Sequence, residues 1–283
     1  MAIIAEYTNS VVADYPIEFR ADIDGMALGF VWSFGDGWGS SNESVLDHTF
    51  SKGGVYNVIL TATNEMLSCA ATAIVTVAAG FTNYVSLTGG HIAPFTSWAN
   101  ASTTFQAAVN AAFVGGTIVA ADGVYQAGGS AVFGTMTNRL VLNRPVILRS
   151  LNGPAVTTIR GYQVPGSFNG TGAVRCAYIG NGAVLAGFTL SGGATLDMGD
   201  WFKELSGGGI WCESTGAVVS NCVISGNYAY GDGGGAYRGT LVGCVISSNN
   251  AASVAGGTID AVLYSCSVVG NISSNWAGGC GGG

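Results

Sequence analysis

A heptapeptide that occurs three times late in the chain decides the fold: Asn221-Cys222-Val223-Ile224-Ser225-Gly226-Asn227, then Gly243-Cys244-Val245-Ile246-Ser247-Ser248-Asn249, then Ser265-Cys266-Ser267-Val268-Val269-Gly270-Asn271. The cysteines of successive copies are 22 residues apart, and so are the closing asparagines. Periods of roughly 20 to 50 residues are typical of solenoids, in which each repeat is one unit stacked on the next. One coil of a parallel β-helix requires about this many residues. The repeat therefore predicts stacked β-coils.

Stacking assigns a place to each repeated residue, because equivalent residues of neighbouring coils lie about 4.8 Å apart. We expect Cys222, Cys244 and Cys266 to form an internal ladder of small apolar side chains. Parallel side-chain directions oppose a disulfide between stacked cysteines, so buried free thiols are favoured. The pairing of Cys212 and Cys280, and the state of Cys69 and Cys176, stay open. We expect the corner residues Asn227, Asn249 and Asn271 to hydrogen-bond along the axis and to tolerate left-handed turns.

A glycine-rich element recurs at nearly the same step: Gly207-Gly208-Gly209-Ile210, Gly233-Gly234-Gly235-Ala236, Gly256-Gly257-Thr258-Ile259 and Gly278-Gly279-Cys280. These glycines permit a tight corner opposite the asparagines. The glycine motif followed by Ile or Val and then Asn resembles the repeats of the polymorphic outer-membrane adhesins over residues 207–283. That resemblance implies an adhesive protein on a cell surface.

The stretch from residue 80 begins with a helix pattern. Phe105, Ala108, Val109 and Ala112 share one helix face within residues 103–113, and Gly115-Gly116 ends the helix. A strand and turn follow over residues 117–125, with further predicted strands at 145–150, 156–161 and 183–190. This series resembles the amino-terminal cap of right-handed parallel β-helix proteins of the pectate-lyase-like class. We therefore assign residues 80–283 to a right-handed parallel β-helix with a short capping helix.

Residues 1–79 have short strands at the spacing of a β-sandwich, including Val55–Asn64 and Ala73–Val77. Three motifs stand among them: Trp32-Ser33-Phe34-Gly35-Asp36-Gly37, His48-Thr49-Phe50 and Gly54-Val55-Tyr56. They resemble the polycystic-kidney-disease (PKD) domain, an Ig-like β-sandwich that usually serves as a spacer or interaction module on extracellular proteins. The fold class is thus all-β: a PKD-like sandwich at 1–79 followed by the β-helix.

Composition excludes several classes of function. Only 9% of the residues are charged and the net charge is −7, so a phosphate backbone would be repelled and nucleic-acid binding is not expected. No run of about 18 apolar residues predicts a membrane-spanning helix. The first seven residues lack the pattern of a signal peptide. Without a CxxC pair or a Cys/His cluster, neither a metal nor any other cofactor is expected.

The sequence leaves the question of catalysis open, with a non-enzymatic function favoured. The best enzymatic candidate is a polar insertion containing Asp197, Asp200, Lys203 and Glu204. A lyase needs an Arg or Lys base, and a glycosidase needs two carboxylates about 5 to 10 Å apart. No such pattern accompanies this cluster, so no catalytic residue is assigned. The alternative function is a polysaccharide-active enzyme of the pectate-lyase-like class.

A binding function has better support. The aromatic residues next to the repeated core positions are Tyr228, Tyr230, Tyr237 and Trp276. Aromatic rings on a flat β-helix face can stack on sugars, which makes carbohydrate a candidate ligand.

Low surface charge also favours association. The chain stops at Gly281-Gly282-Gly283 as a new coil begins, and solenoids need capped ends, so we expect either that the native β-helix continues beyond this sequence or that another molecule covers its end. We therefore expect an extracellular or cell-surface protein of structural or adhesive function that self-associates, through the β-helix ends or the PKD-like domain, into a fibre or surface layer.

Overall fold

A computed structural model describes residues 1–8 and 11–274. The chain forms two compact units: Met1–Phe81 with Phe113–Gly116, and Thr82–Ala112 with the residues from Thr117 onwards. About 3% of the chain is helical and nearly all other regular structure is β, which confirms the predicted fold class. Within the described ranges, no helix has the length and apolarity needed to cross a membrane.

The first unit is a sandwich of two sheets. Its strands are β1 (Ala2–Ala5), β2 (Val11–Val12), β3 (Pro16–Asp22), β4 (Gly29–Ser33), β5 (Gly39–Ser41), β6 (Val45–Thr49), β7 (Gly54–Thr63) and β8 (Ser68–Ala78). A three-stranded sheet has the order β1-β3-β6, and a five-stranded sheet has the order β2-β8-β7-β4-β5. Alternate residues of each strand point inward, as they must on a pleated sheet.

The sandwich core is aromatic and includes the residues of the Trp32–Gly37 motif. Trp32 and Phe34 are both buried, and the Phe34 ring stacks on the imidazole of His48 with 3.8 Å between ring centroids. Asp36 closes the turn that follows, because its carboxylate accepts hydrogen bonds from Trp38 N (3.0 Å) and from His48 Nε2 (2.8 Å). The motif therefore joins the turn to the core.

The second unit is a parallel β-helix. Its elements are β9 (Thr82–Val85), α1 (Phe105–Ala111), β10 (Thr117–Ala120), β11 (Gly123–Tyr125), β12 (Ser130–Ala131), β13 (Thr137–Leu142), β14 (Ile147–Ser150), β15 (Thr157–Arg160), β16 (Val174–Ile179), β17 (Val184–Ala186), β18 (Thr189–Ser191), β19 (Ile210–Cys212), β20 (Val218–Ser220), β21 (Val223–Ser225), β22 (Tyr228–Ala229), β23 (Ala236–Tyr237), β24 (Thr240–Val242), β25 (Val245–Ser247), β26 (Asn250–Ala251), β27 (Thr258–Ile259), β28 (Val262–Tyr264), β29 (Ser267–Val269) and β30 (Ile272–Ser273).

These strands form parallel sheets along the axis. The first sheet contains β9, β10, β14, β17, β20, β24 and β28. The second contains β11, β15, β18, β21, β25 and β29, and the third contains β12, β13, β16, β19, β23 and β27, of which only β12 is antiparallel. A short fourth sheet joins β22, β26 and β30. Helix α1 begins after Thr104, whose hydroxyl accepts from Ala107 N, and it buries Phe105, Ala108 and Val109.

Successive coils stack residue on residue. Leu190, Ile224, Ile246 and Val268 occupy one internal column of the second sheet. One feature of the asparagine corner differs from expectation: the left-handed residue is the one before each asparagine, namely Gly226, Ser248 or Gly270. The asparagine side chain itself turns inward, where its amide donates to a strand carbonyl of the preceding coil, as Asn249 Nδ2 does to Ile224 O (2.9 Å).

The glycine-rich corners are required by close packing of the coils. A Cβ atom on Gly208 would lie 2.2 Å from Tyr228 O, and one on Gly234 would lie 2.2 Å from Asn250 O. No side chain fits at such distances. The recurring glycines thus let each coil approach the next at this corner.

Candidate functional site

Tyr228 and Tyr230 project from the outside of the β-helix beside an insertion between two coils. They flank Ala229, which is fully buried, so the alternation of the strand directs both rings outward. Tyr230 is 42% exposed and Tyr228 is half-buried. The backbone N–H of Tyr230 donates to the side-chain hydroxyl of Thr195 (2.9 Å) and so ties this segment to the preceding coil.

A second aromatic ring lies against Tyr228. The ring of Phe168 stacks on it with 4.6 Å between centroids and 9° between planes, and Phe168 is 45% exposed. The neighbouring Asn169 is buried and its Nδ2 donates to Tyr228 O (3.3 Å) and Thr195 Oγ1 (3.0 Å). The buried Asn169 amide therefore ties the segment that carries Phe168 to the segment that carries Tyr228.

A third segment brings an indole to the same region. Trp201 is 40% exposed, and its Nε1 donates to Asp232 Oδ2 at 3.0 Å. Asp232 follows Tyr230 by two residues, and its backbone N donates to Ser206 Oγ (3.1 Å). We call the set Phe168, Trp201, Tyr228 and Tyr230 the aromatic ledge. It comprises residues from three separate coils or loops.

The insertion that carries Trp201 is anchored by Arg175. This guanidinium is only 1% exposed and donates to Gly207 O (2.7 Å), Ser206 O (2.8 Å) and Lys203 O (3.0 Å). It also donates to Asn138 Oδ1 at 2.9 Å. Burial lowers the pKa of Arg175 to about 9, so it remains charged at neutral pH. A planar group with several donors suits this position, because the acceptors lie in different directions.

The carboxylates of the insertion are bonded to backbone amides. Asp200 Oδ1 accepts from Phe202 N and Lys203 N, at 3.0 and 2.9 Å. Glu204 accepts from Asp200 N (2.9 Å) and from Thr135 N (3.1 Å). The ammonium of Lys203 lies 5.1 Å from the centroid of the Phe133 ring. These contacts shape the insertion.

The remaining aromatic candidates lie elsewhere. Tyr237 is only 2% exposed and belongs to a buried column, with Trp211 stacked on it at 6.1 Å and Tyr178 stacked on Trp211 at 5.3 Å. It therefore has no free ring face for a sugar, contrary to expectation, because Phe202 of the insertion lies beside it with 6.5 Å between ring centroids, and the Arg238 guanidinium lies 5.1 Å from its centroid. Trp276 lies outside the described residues.

The asparagine and cysteine ladders are internal. Asn227, Asn249 and Asn271 are buried and stacked, each side-chain amide donating to the next at 2.9 Å. All six described cysteines are free, and Cys222 and Cys244 are each 1% exposed while Cys266 is half-buried. Burial raises the pKa of Cys176 and Cys212 to about 12 and also raises that of Cys222. Cys280 lies outside the described range. Between residues 1 and 274, Asn9 and Ser10 aside, no three His, Cys, Asp or Glu side chains are grouped as a metal site.

Comparison with known proteins assigns the first unit. Residues 4–79 match the family of the PKD domain, so the predicted PKD-like sandwich is confirmed. No curated protein matches the chain. One solved structure, described as "Structural basis for the promiscuous specificity of the carbohydrate-binding modules from the beta-sandwich super family", is 25% identical over 29% of this chain, with a TM-score of 0.26. The match covers 34% of that chain, and a TM-score this low does not establish a common fold.

Proposed function

We propose that this protein is an extracellular or cell-surface protein of structural and adhesive function, and that its β-helix holds neutral polysaccharide on the aromatic ledge. PKD domains typically occur in extracellular proteins, which supports an extracellular location for this chain. The low content of charged residues is consistent with a protein that works by surface contact rather than by electrostatic steering.

One observation carries the proposal: Trp201, Phe168 and Tyr230 are each 40–45% exposed on a rigid scaffold. Phe168 stacks on Tyr228, Tyr230 follows in the same segment, and Trp201 is bonded to Asp232 two residues further on, so these exposed rings do not stand singly on the surface. Aromatic rings bind the apolar faces of sugars by stacking, and the hydroxyl of a tyrosine adds a polar contact at the edge. Asp232, whose carboxylate contacts the ledge, is bonded to Trp201 Nε1 and Val254 N. A neutral sugar therefore suits the ledge better than a charged one.

The enzymatic alternative gains no specific support from the insertion, since Asp200 and Glu204 are bonded to its own backbone. A polysaccharide-cleavage assay on the same substrates is nevertheless a direct test of it. Release of new reducing ends or of unsaturated products, abolished by a change in this insertion, would replace the adhesive proposal with an enzymatic one.

Binding is tested by sedimenting the full chain with insoluble cellulose, chitin and mannan. We expect retention by at least one of them, and about a three- to tenfold weaker affinity for Tyr230→Ala or Phe168→Ala, as a lost aromatic contact costs about 0.5–1.5 kcal/mol. Tyr264→Ala is the matched control, since Tyr264 is 57% exposed on the first sheet. Equal loss in the control, or no retention on any of the three, would contradict the proposal.

A further inference from the structure

The charges of this chain are distributed very unevenly. Residues 1–79 contain nine acidic and two basic residues, whereas residues 80–283 contain seven of each. The whole net charge of −7 therefore belongs to the sandwich. Two sandwiches that approach at random bring carboxylates together, and this repulsion opposes association.

The acidic residues avoid one outer face of the sandwich. On the three-stranded sheet, the outward positions include Glu18, Arg20, Asp22 and Asp47. On the five-stranded sheet, the outward positions of β4, β5, β7 and β8 are Gly, Ala, Ser, Thr, Asn, Val or Ile, and none of these four fully described strands has a charged residue there. We call this surface the neutral face.

An apolar stripe crosses the neutral face. Val31, Ile59 and Ile74 are 54%, 40% and 59% exposed in the full chain. The strand register places Ser33 opposite Ile59, and Val31 opposite the residue two positions further along β7. Ile59 in turn lies opposite Thr72, two positions from Ile74. The three side chains are thus diagonal neighbours on adjacent strands, near enough for large side chains to interact. Solvent-facing positions of antiparallel sheets are ordinarily polar, so this stripe is unusual.

We propose that the neutral face is a homotypic interface, on which the same face of a second copy packs across a two-fold axis. A two-fold contact uses one patch on both copies, so the patch must be compatible with itself. An uncharged face of β-branched residues meets that condition, and every other outer face of the sandwich brings carboxylates to the partner. Flat sheets pack face to face about 10 Å apart with such side chains between them.

The area of the neutral face is sufficient for a weak, specific contact. The β7–β8 ladder has ten paired residues, which makes it about 34 Å long at ~3.4 Å per residue. With β4 and β5, the face projects to about 450 Å² per copy, given strands ~4.8 Å apart. The faces of two copies together project to about 900 Å². Because protruding side chains make the accessible area larger than the projected area, the buried area comes near the roughly 1,000 Å² typical of specific interfaces.

The test is sedimentation velocity of the full chain over a concentration series, with reductant present because Cys69 is exposed. We expect a monomer–dimer equilibrium for the native sequence. Ile74→Glu should weaken it at least tenfold, since each copy then brings a carboxylate into an interface of uncharged side chains. Ile4→Glu is the matched control: Ile4 is 51% exposed and outward on the three-stranded sheet.

Higher salt should tighten dimerisation of the native sequence, because it screens the repulsion between the acidic sandwiches. Ile74→Thr, which keeps a β-branched neutral side chain, should weaken dimerisation less than Ile74→Glu. It tests the interface even if the Glu variant misfolds. A chain that stays monomeric up to about 1 mM, or equal weakening by Ile4→Glu, would overturn the proposal. Tyr230→Ala leaves the neutral face intact, so it should not change the dimerisation constant. Failure of the polysaccharide-binding proposal can therefore be distinguished from failure of the dimer proposal.

Discussion

Asn227 Nδ2 donates a hydrogen bond of 2.9 Å to Asn249 Oδ1, and both side chains are fully buried. The same oxygen also accepts from Asn227 N at 3.1 Å, so one amide satisfies both a backbone and a side-chain donor of the preceding coil. Asn249 repeats this relationship with Asn271. Buried polar groups are stabilising only when they are satisfied, and this ladder satisfies them coil by coil.

Replacing Asn249 with alanine should therefore destabilise the β-helix by about 2–4 kcal/mol, because buried donors of Asn227 and the carbonyl of Ile224 lose their partner. Urea unfolding followed by tryptophan fluorescence measures the change. Ser247→Ala, at a half-exposed position of the same coil, should alter stability by less than about 0.5 kcal/mol. Similar losses for the two variants would show that the ladder has no special importance.

Arg175→Lys should loosen the insertion without unfolding the coils. A single ammonium cannot reach the carbonyls of Lys203, Ser206 and Gly207 together with Asn138, so part of this network is lost. The peptide bond after Lys203 is then expected to be cut by trypsin at least tenfold faster, as measured by mass spectrometry of limited digests. Arg149→Lys, at an exposed position, serves as the control, and a similar acceleration there would contradict this explanation.

Thiol reactivity should separate Cys69 from the other described cysteines. In a background with Cys280 and the half-buried Cys266 both replaced by serine, we expect one fast-reacting thiol per chain at pH 8, lost in the further Cys69→Ser variant. Cys176 and Cys212 should react only in denaturant, because burial both excludes the reagent and raises their pKa to about 12. Ellman's reagent gives the count directly. Two or more fast thiols after removal of Cys69 would mean that the β-helix interior is accessible.

The turn at Asp36 should make the sandwich sensitive to acid. Burial acts to raise the pKa of Asp36, but hydrogen bonds from Trp38 N and His48 outweigh it and hold the pKa below its ordinary value. Stability from this group is therefore complete above the unfolded-state pKa near 3.9 and is lost as pH falls through the lower folded-state pKa. Asp36→Asn should cost about 1–2 kcal/mol at pH 7. The gap between variant and native protein should close in that acid range, as followed by thermal melts of the two proteins. A difference in melting temperature that does not change with pH would exclude the Asp36 carboxylate as its cause.

The regular part of the fold was predictable because its signal is local and repeated. The 22-residue step predicts the last coils, and Trp32, Phe34 and His48 predict the sandwich. Strands β13 and β16 were missed. Their inner positions, such as Leu140, Leu142 and Ala177, are buried, but no repeated motif marks them. The early coils differ in length, so the step of the later ones could not be extended backwards.

The candidate site was predictable only in part. The sequence predicts Tyr228 and Tyr230 as binding residues from their position next to the repeated core residues, and the structure has them on either side of the buried Ala229. The same reasoning fails for Tyr237, which also points outward from its strand but is covered by residues of the insertion such as Phe202. Phe168 was missed as a partner of Tyr228, because 60 residues separate the two in sequence and only the stacking of coils brings them together.

The uniform coils at the end of the β-helix also bear on how such a gene can change. Each coil from Asn221 onward contacts its neighbours through the same positions: an internal Ile or Val, a cysteine and a corner asparagine. In-frame duplication or loss of the 22-residue unit 243–264 would rejoin equivalent positions and leave the residues of the aromatic ledge and of the sandwich in place. The number of coils in this region can therefore vary between individuals or lineages at little structural cost. Selection can thus act on the length of the β-helix while its inner positions stay the same.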